Sequence, residues 1–266
     1  MTRLSIGFIG TGRIAQALIS GLSHDPQLVL SGYDKSADSL RSASLQFGVN
    51  AEESIESLAR DAQIIIIAVK PYQVGEVLAE LKSALHGQHL VVSVAAGIST
   101  GFIESNCPEG TRVIRVMPNT PAFVGEGMTA LCKGSHATAD DLLAAERIFN
   151  AIGKTAIIDE SGMDAATAVS GSGPAYMFRI IDSLAEGGEA CGLDRETAQL
   201  LAAQTMLGAA KMVLSGRKNP EELVREVTTP GGTTEAGLHA TDKRDLRGTL
   251  IDTVKAAAAR SKELMK

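Results

Sequence analysis

Two stretches of the 266-residue chain carry residue types suited to holding an anion. Near the end, Val227 to Leu238 reads VTTPGGTTEAGL, with threonines and glycines gathered around Pro230. Pro-Gly-Gly cannot continue a helix, and glycine adopts the positive φ that turns successive backbone N–H groups toward one point, a concavity suited to carboxylate or phosphate. The flanking hydroxyls add donors, although the same tripeptide also serves as a plain connector between helices. Near the start, Gly10-Thr11-Gly12-Arg13-Ile14-Ala15 fits the pattern G-x-G-x-x-G/A. Gly10 is suited to the tight turn, Gly12 to close approach of a pyrophosphate, and Ala15 to close helix–strand packing, with the anion at a helix N-terminus.

The surrounding elements give that fingerprint its context. Leu4 to Ile9 is a short apolar run without helical period, as in a strand buried on both faces. An amphipathic helix follows through Ile14, Ala17, Leu18 and Leu22, then a second strand from Leu28 to Tyr33 ending at Asp34. An acid there accepts hydrogen bonds from ribose hydroxyls and favours NADH, whereas Lys35 and Ser36 suit the 2′-phosphate of NADPH; the sequence leaves NADPH or NADH open, leaning to NADH. Asp34 also reads as a plain turn residue.

Ser54 to Arg60 leads to a central strand, Ile64 to Val69, ended by Lys70-Pro71. A helix through Val74, Val77, Leu78, Leu81 and Leu85 precedes the strand Leu90 to Val94 and the turn Ala95-Ala96-Gly97, with a further strand from Arg112 to Met117. Ligands bind at the carboxyl ends of such strands, so Gly10, Thr11, Gly12, Arg13, Ile14, Ala15, Asp34, Lys35, Ser36, Ala68, Val69, Lys70, Pro71, Ala95 and Ala96 are expected on one cofactor rim. Lys70 also reads as a merely solvated side chain. Met117-Pro118-Asn119-Thr120-Pro121 is a stiff loop on that rim. Closing strands are expected at Met128 to Cys132 and Thr155 to Ile158, around a helix from Ala139 to Ile152 capped by Thr138 and stopped by Gly153.

The fold expected is therefore α/β, a Rossmann-like dinucleotide-binding domain over residues 1–160, followed by an all-α C-terminal domain over 161–266. The small residues Ser170 to Ala175 suit close helix contact or the lining of a substrate pocket. Asp194 caps a helix running to about Leu214 that is apolar around much of its circumference, more than one subunit buries. Asn219-Pro220-Glu221-Glu222 starts a short helix into the Thr/Gly loop, and Ala236 to Lys266 is expected to be helical again.

Composition excludes other classes. A net charge of -6 with no basic run argues against nucleic acid, and the three scattered cysteines form neither a disulfide framework nor a metal site. No membrane span or signal segment is expected, and a reducing cytoplasm fits. His239 alone lies near the loop and reads as helix surface.

The motifs FIGTGRIAQA, AVKP, SVAAG, MPNTP, SGSGPAY, GAAKM and TTPGGTTEAGL, in that order from end to end, resemble pyrroline-5-carboxylate reductase, the last enzyme of proline biosynthesis. The resemblance implies reduction of the cyclic imine L-1-pyrroline-5-carboxylate to L-proline with NADPH or NADH. It implies a substrate carboxylate held by Thr229, Gly231, Gly232, Thr233 and Thr234, with Thr234, the catalytic candidate, also meeting the ring nitrogen. It further implies a homodimer at least, with interlocked C-terminal helices, and a ring of dimers. Two positions depart from the family pattern: Thr241 replaces a large apolar residue, and Asp34 stands where many members carry Asn, Ser or Thr. The alternatives are a hydroxy-acid dehydrogenase of the 3-hydroxyisobutyrate type and an NAD(P)-binding paralogue without activity. Gly171-Ser172-Gly173-Pro174 is followed by Arg179, without the lysine that such dehydrogenases carry one turn on.

Overall fold

The computed structural model describes residues 3–264. The chain opens with β1 (Leu4–Ile9), α1 (Arg13–Leu22), β2 (Leu28–Tyr33), α2 (Ala37–Phe47), β3 (Asn50–Ala51), α3 (Ile55–Asp61) and β4 (Ile64–Ile67). It continues with α4 (Val74–Leu81), β5 (Leu90–Ser93), α5 (Thr100–Asn106), β6 (Arg112–Met117), β7 (Gly127–Lys133), α6 (Ala139–Phe149) and β8 (Gly153–Ile157). Among the described residues these strands form one sheet in the order β3-β2-β1-β4-β5-β6-β7-β8, parallel except at the antiparallel β6–β7 pair. The chain winds outward from β1 to β3 and returns to place β4 on the other side of β1. The strand order thus reverses at the β1–β4 boundary, where a crevice opens beyond the carboxyl ends.

Strand periodicity divides the isoleucine run between two cores. Ile64 and Ile66 pack with Ile6, Phe8, Leu18 and Phe149 on one face, while Ile65 and Ile67 pack with Ile9, Leu58, Leu78 and Leu81 on the other. Side chains two apart share a face, so an unbroken apolar strand is what a sheet covered on both sides requires. Helices α2, α3, α5 and α6 begin on hydroxyl caps: Ser36, Ser54, Ser99 and Thr138 each accept the N–H three residues on. The helices α2 and α5 and the short β3 were not legible in the sequence. Helix α2 fully buries only Ala43 and so carries no apolar stripe. The strand expected to reach Val69 ends at Ile67, because Ala68 to Lys70 turn onto the rim.

By compactness the chain forms two units, one running through Ser172 and regaining the chain from Ala257, the other Gly173–Ala256. In the first unit, α7 (Met163–Ala166) and a π-turn over Thr167–Gly171 follow β8. Met163 is buried with Ala130 and Cys132 on the sheet. A Cβ on Gly171 would lie 2.7 Å from Met117 Cε, whereas one on Gly173 would meet nothing within 4 Å, so close contact accounts for only part of this small-residue run.

The second unit holds α8 (Gly173–Ala190), α9 (Arg195–Leu214), α10 (Pro220–Val227), α11 (Thr233–Asp242) and the start of α12 (Leu246–Leu264). The single helix expected from Ala236 onward is corrected: α11 starts earlier, at Thr233, and the chain breaks before α12. Asp245 takes φ 48 there, and its Oδ1 accepts the Gly248 N–H at 3.0 Å, capping α12. Thr241 places its hydroxyl on the Leu238 carbonyl at 2.8 Å, which satisfies a polar group where the family resemblance implied an apolar one. Phe178, Leu200, Leu201 and Leu214 are exposed on α8 and α9, an apolar surface that an isolated chain leaves in water. Among the described residues, no helix is long and apolar enough to cross a membrane.

Glu160 staples the segment after β8 to the sheet. Its carboxylate accepts the Thr100 N–H at 2.7 Å and the Thr100 hydroxyl, and pairs with the buried Arg115 at 3.1 Å. Burial pushes its pKa up, but the Thr100 donors and the Arg115 guanidinium outweigh this and hold the carboxyl below its ordinary value. A carboxyl depressed in the folded state stabilises the fold above its unfolded pKa, and that contribution is lost as pH falls through the folded value. Glu160→Gln is expected to cost about 1 to 3 kcal/mol at neutral pH, reduced by the partial exposure of the carboxylate. Urea unfolding at neutral pH and near pH 3 checks this: the difference between variant and parent shrinks in acid, and an equal difference at both would contradict the assignment.

Candidate functional site

The crevice beyond β1 and β4 is a cavity of about 500 Å³ within the first unit, a size suited to a bound ligand. Gly10 makes the turn out of β1 with φ 92, and a Cβ there would lie 2.8 Å from the Ala68 carbonyl oxygen, so both backbone and space demand glycine. Gly12 is different. Its φ of -70 and ψ of -172 suit any residue, and an added Cβ would meet no protein atom within 4 Å. Neither conformation nor packing requires a glycine; the space a side chain would take belongs to the cleft at the N-terminus of α1. The first turn of α1 carries no acidic residue, so its unpaired N–H groups and positive dipole end are free to meet an anion. The chain thus offers a cradle that fits a pyrophosphate.

Of the residues expected on the rim, Gly10, Gly12, Arg13, Ile14, Asp34 and Lys35 line the cavity on one side. Ala68, Val69, Lys70, Pro71, Ala95 and Ala96 line it on the other. Three do not. Thr11 and Ala15 are buried behind the turn, and Ser36 is spent as the N-cap of α2. The cleft also includes residues that sequence reasoning missed, among them Tyr33, Gln73, Glu76 and Phe123. Phe123 follows the stiff Met117–Pro121 loop, and its ring carries the Arg13 guanidinium at 4.9 Å from the centroid.

Asp34 is held inward. Its Oδ2 accepts the Thr11 N–H at 2.7 Å and the Thr11 hydroxyl at 3.1 Å, while Oδ1 accepts the Ser36 N–H at 2.8 Å. The acid thereby ties the glycine turn to the end of β2. Lys35 points to the open lip, where its ammonium meets Glu76 Oε1 at 2.7 Å, and this hydrogen bond raises its pKa. The thiols of Cys107 and Cys132 are pushed up to about 11 and about 12 by burial, so neither is a nucleophile at neutral pH.

The second stretch lies in the other unit, between α10 and α11. Gly232 donates its N–H to the Thr229 carbonyl at 2.9 Å, Gly231 takes φ 74, and the Gly231 N–H is engaged by Glu235 Oε2 at 2.8 Å. The converging set of N–H groups expected from the sequence is therefore smaller, because two of its donors bond within the loop. Gly232 is the N-cap of α11, so Thr233 and Thr234 fall in the first helical turn, where N–H groups lack an intrahelical acceptor. Thr233 and Thr234 open the first turn of α11, with the Thr229 hydroxyl against Gly232, and the same turn carries the acidic Glu235.

Residues 160–264 match a family profile described as pyrroline-5-carboxylate reductase dimerisation, and residues 5–97 match one described as NADP oxidoreductase, coenzyme F420-dependent. A pyrroline-5-carboxylate reductase of Methanosarcina acetivorans is 40% identical over 269 residues, covering 100% of both chains. The structure of a pyrroline-5-carboxylate reductase from Coxiella burnetii is similar at a TM-score of 0.93 and 37% identity, covering 98% of each chain. That of a Plasmodium falciparum pyrroline carboxylate reductase with NADP bound has a TM-score of 0.87 at 33% identity over 100% of each chain.

The contrast between Gly10 and Gly12 separates folding from ligand binding. Gly12→Ala is expected to leave the melting temperature within about 2 °C of the parent, since the new methyl meets nothing. The same variant is expected to weaken nicotinamide dinucleotide binding by roughly tenfold or more. Calorimetric titration together with a thermal melt reads both, and unchanged affinity would remove Gly12 from the site.

Proposed function

The chain belongs to the pyrroline-5-carboxylate reductase family, and on that premise we propose that it reduces L-1-pyrroline-5-carboxylate to L-proline with NADPH or NADH. The observation that carries the proposal is the pairing, in one chain, of an open dinucleotide cleft at Gly12 with a second anion cradle at Thr233 and Thr234. One cradle suits a pyrophosphate and the other a carboxylate. The hydroxy-acid dehydrogenase and the inactive paralogue have no comparable support.

Bound NAD(P)H supplies a hydride from nicotinamide C4. In this assignment the turn Gly10 to Ala15 and the N-terminus of α1 hold its pyrophosphate, and Asp34 and Lys35 shape the adenosine end, with Ser36 fixing Asp34 from behind. Ala68, Val69, Lys70, Pro71, Ala95 and Ala96 form the walls. Thr229, Gly231, Gly232, Thr233 and Thr234 hold the substrate carboxylate, with the first-turn N–H groups of α11 doing most of the holding because Gly231 already donates to Glu235. Reduction at ring C5 would leave the C=N electron pair on nitrogen. That nitrogen already carries its proton in the iminium form, so the chain needs no dedicated general acid. Thr234 orients the ring N–H through its hydroxyl, and catalysis comes from positioning.

The same proposal divides function at residues 160 and 161, nucleotide binding before and dimerisation with substrate binding after. A homodimer at least is supported by the exposed apolar side chains of α8 and α9, and a ring of dimers extends it. A cytoplasmic setting agrees with three unpaired cysteines. The experiment that tests the site assignment is Thr234→Ala: kcat/KM for pyrroline-5-carboxylate is expected to fall roughly 10- to 100-fold, on the order of 1.4 to 2.8 kcal/mol. Thr234→Ser, which keeps the hydroxyl, recovers most of it. Unchanged kinetics in the alanine variant would take Thr234 out of the mechanism.

A further inference from the structure

The lips of the dinucleotide cleft carry opposite charges. Lys35, just beyond β2, and Glu76, in the first turn of α4, meet across the opening at 2.7 Å, with side chains 50% and 58% exposed. Both line the cavity. In a fold of this topology the end of β2 is where the adenosine ribose is read, by an acid for a 2′-hydroxyl or a cation for a 2′-phosphate. Asp34 lines the cleft but accepts three hydrogen bonds from Thr11 and Ser36, which leaves Lys35 and Glu76 as the charged pair at the open lip. Glu80, one turn further along α4, adds to the negative field on Lys35.

Taking the cleft as an NAD(P)H site, we propose that Glu76 is a specificity-determining residue: it occupies Lys35 and sets a carboxylate beside it, disfavouring the 2′-phosphate of NADPH relative to the 2′-hydroxyl of NADH. A 2′-phosphate that pairs with Lys35 either shares its ammonium with Glu76 or displaces it, and in both cases lies close to a like charge. The neutral hydroxyl of NADH displaces nothing and can donate to the Glu76 carboxylate. Because both side chains are half in water, the discrimination is modest and screened by salt.

Dissociation constants for NADH and NADPH, measured by calorimetry on the full-length protein, test this. Glu76→Gln is expected to tighten NADPH roughly five- to tenfold while NADH changes less than about twofold. The gain shrinks between about 0.05 M and 0.5 M salt and disappears in the Lys35→Met, Glu76→Gln double variant. An unchanged NADPH constant in Glu76→Gln, or equal shifts for both cofactors, would overturn the role of Glu76 and leave the cleft assignment intact. Failure of the parent protein to bind either cofactor would overturn the cleft assignment itself, and the role of Glu76 with it.

Discussion

The Asp34 carboxylate joins the two strand ends that shape the cleft. One oxygen takes both the N–H and the hydroxyl of Thr11 in the glycine turn, and the other takes the N–H of Ser36 at the start of α2. Charge-assisted bonds of this kind are stronger than neutral ones, and here they fix the backbone whose conformation aims the α1 N-terminus into the cavity. Gly10 then passes against the Ala68 carbonyl, and Gly12 is left facing open space. What the nucleotide domain offers a ligand follows from that fixed turn: a dipole end, an uncrowded approach and walls from the ends of β4 and β5.

The inward orientation of Asp34 has a consequence at the surface. An acid at the end of β2 reads, in sequence, as a ribose ligand; in the structure most of its acceptor capacity is used internally. The charges that face a ligand at that end are instead Lys35 and Glu76, residues 41 positions apart in the chain. Glu76 lies within a helix whose sequence shows only an apolar stripe for the core, so nothing local marks it as part of a site. Its role depends on the winding of α4 back over the crevice.

Where one residue type has one physical use, the sequence was readable. The isoleucine run, the glycine turn and the capping residues Thr138, Asp194 and Asn219 appear where their chemistry puts them. Elements held by tertiary context were not: α2 has a nearly polar surface, and the break at Asp245 has no Gly or Pro to announce it. The Thr/Gly stretch was legible as a break between helices, and its donors were not legible in detail. A glycine-rich loop suggested several converging N–H groups; Glu235 and Thr229 accept two of them, which leaves the N–H groups of the first turn of α11. The exposed apolar side chains of α9 follow from a helix apolar on most of its faces, which no single chain of this size covers.

Everything in this structure converges on one step, the movement of a hydride from a nicotinamide to C5 of a cyclic imine bearing a carboxylate. The most direct measurement supplies cofactor deuterated at the transferred C4 position together with pyrroline-5-carboxylate, and follows the label by mass spectrometry while cofactor absorbance reports oxidation. L-proline carrying one deuterium at C5, formed one for one with oxidised cofactor, is the expected product. Absence of cofactor oxidation, or proline without label at C5, would contradict it.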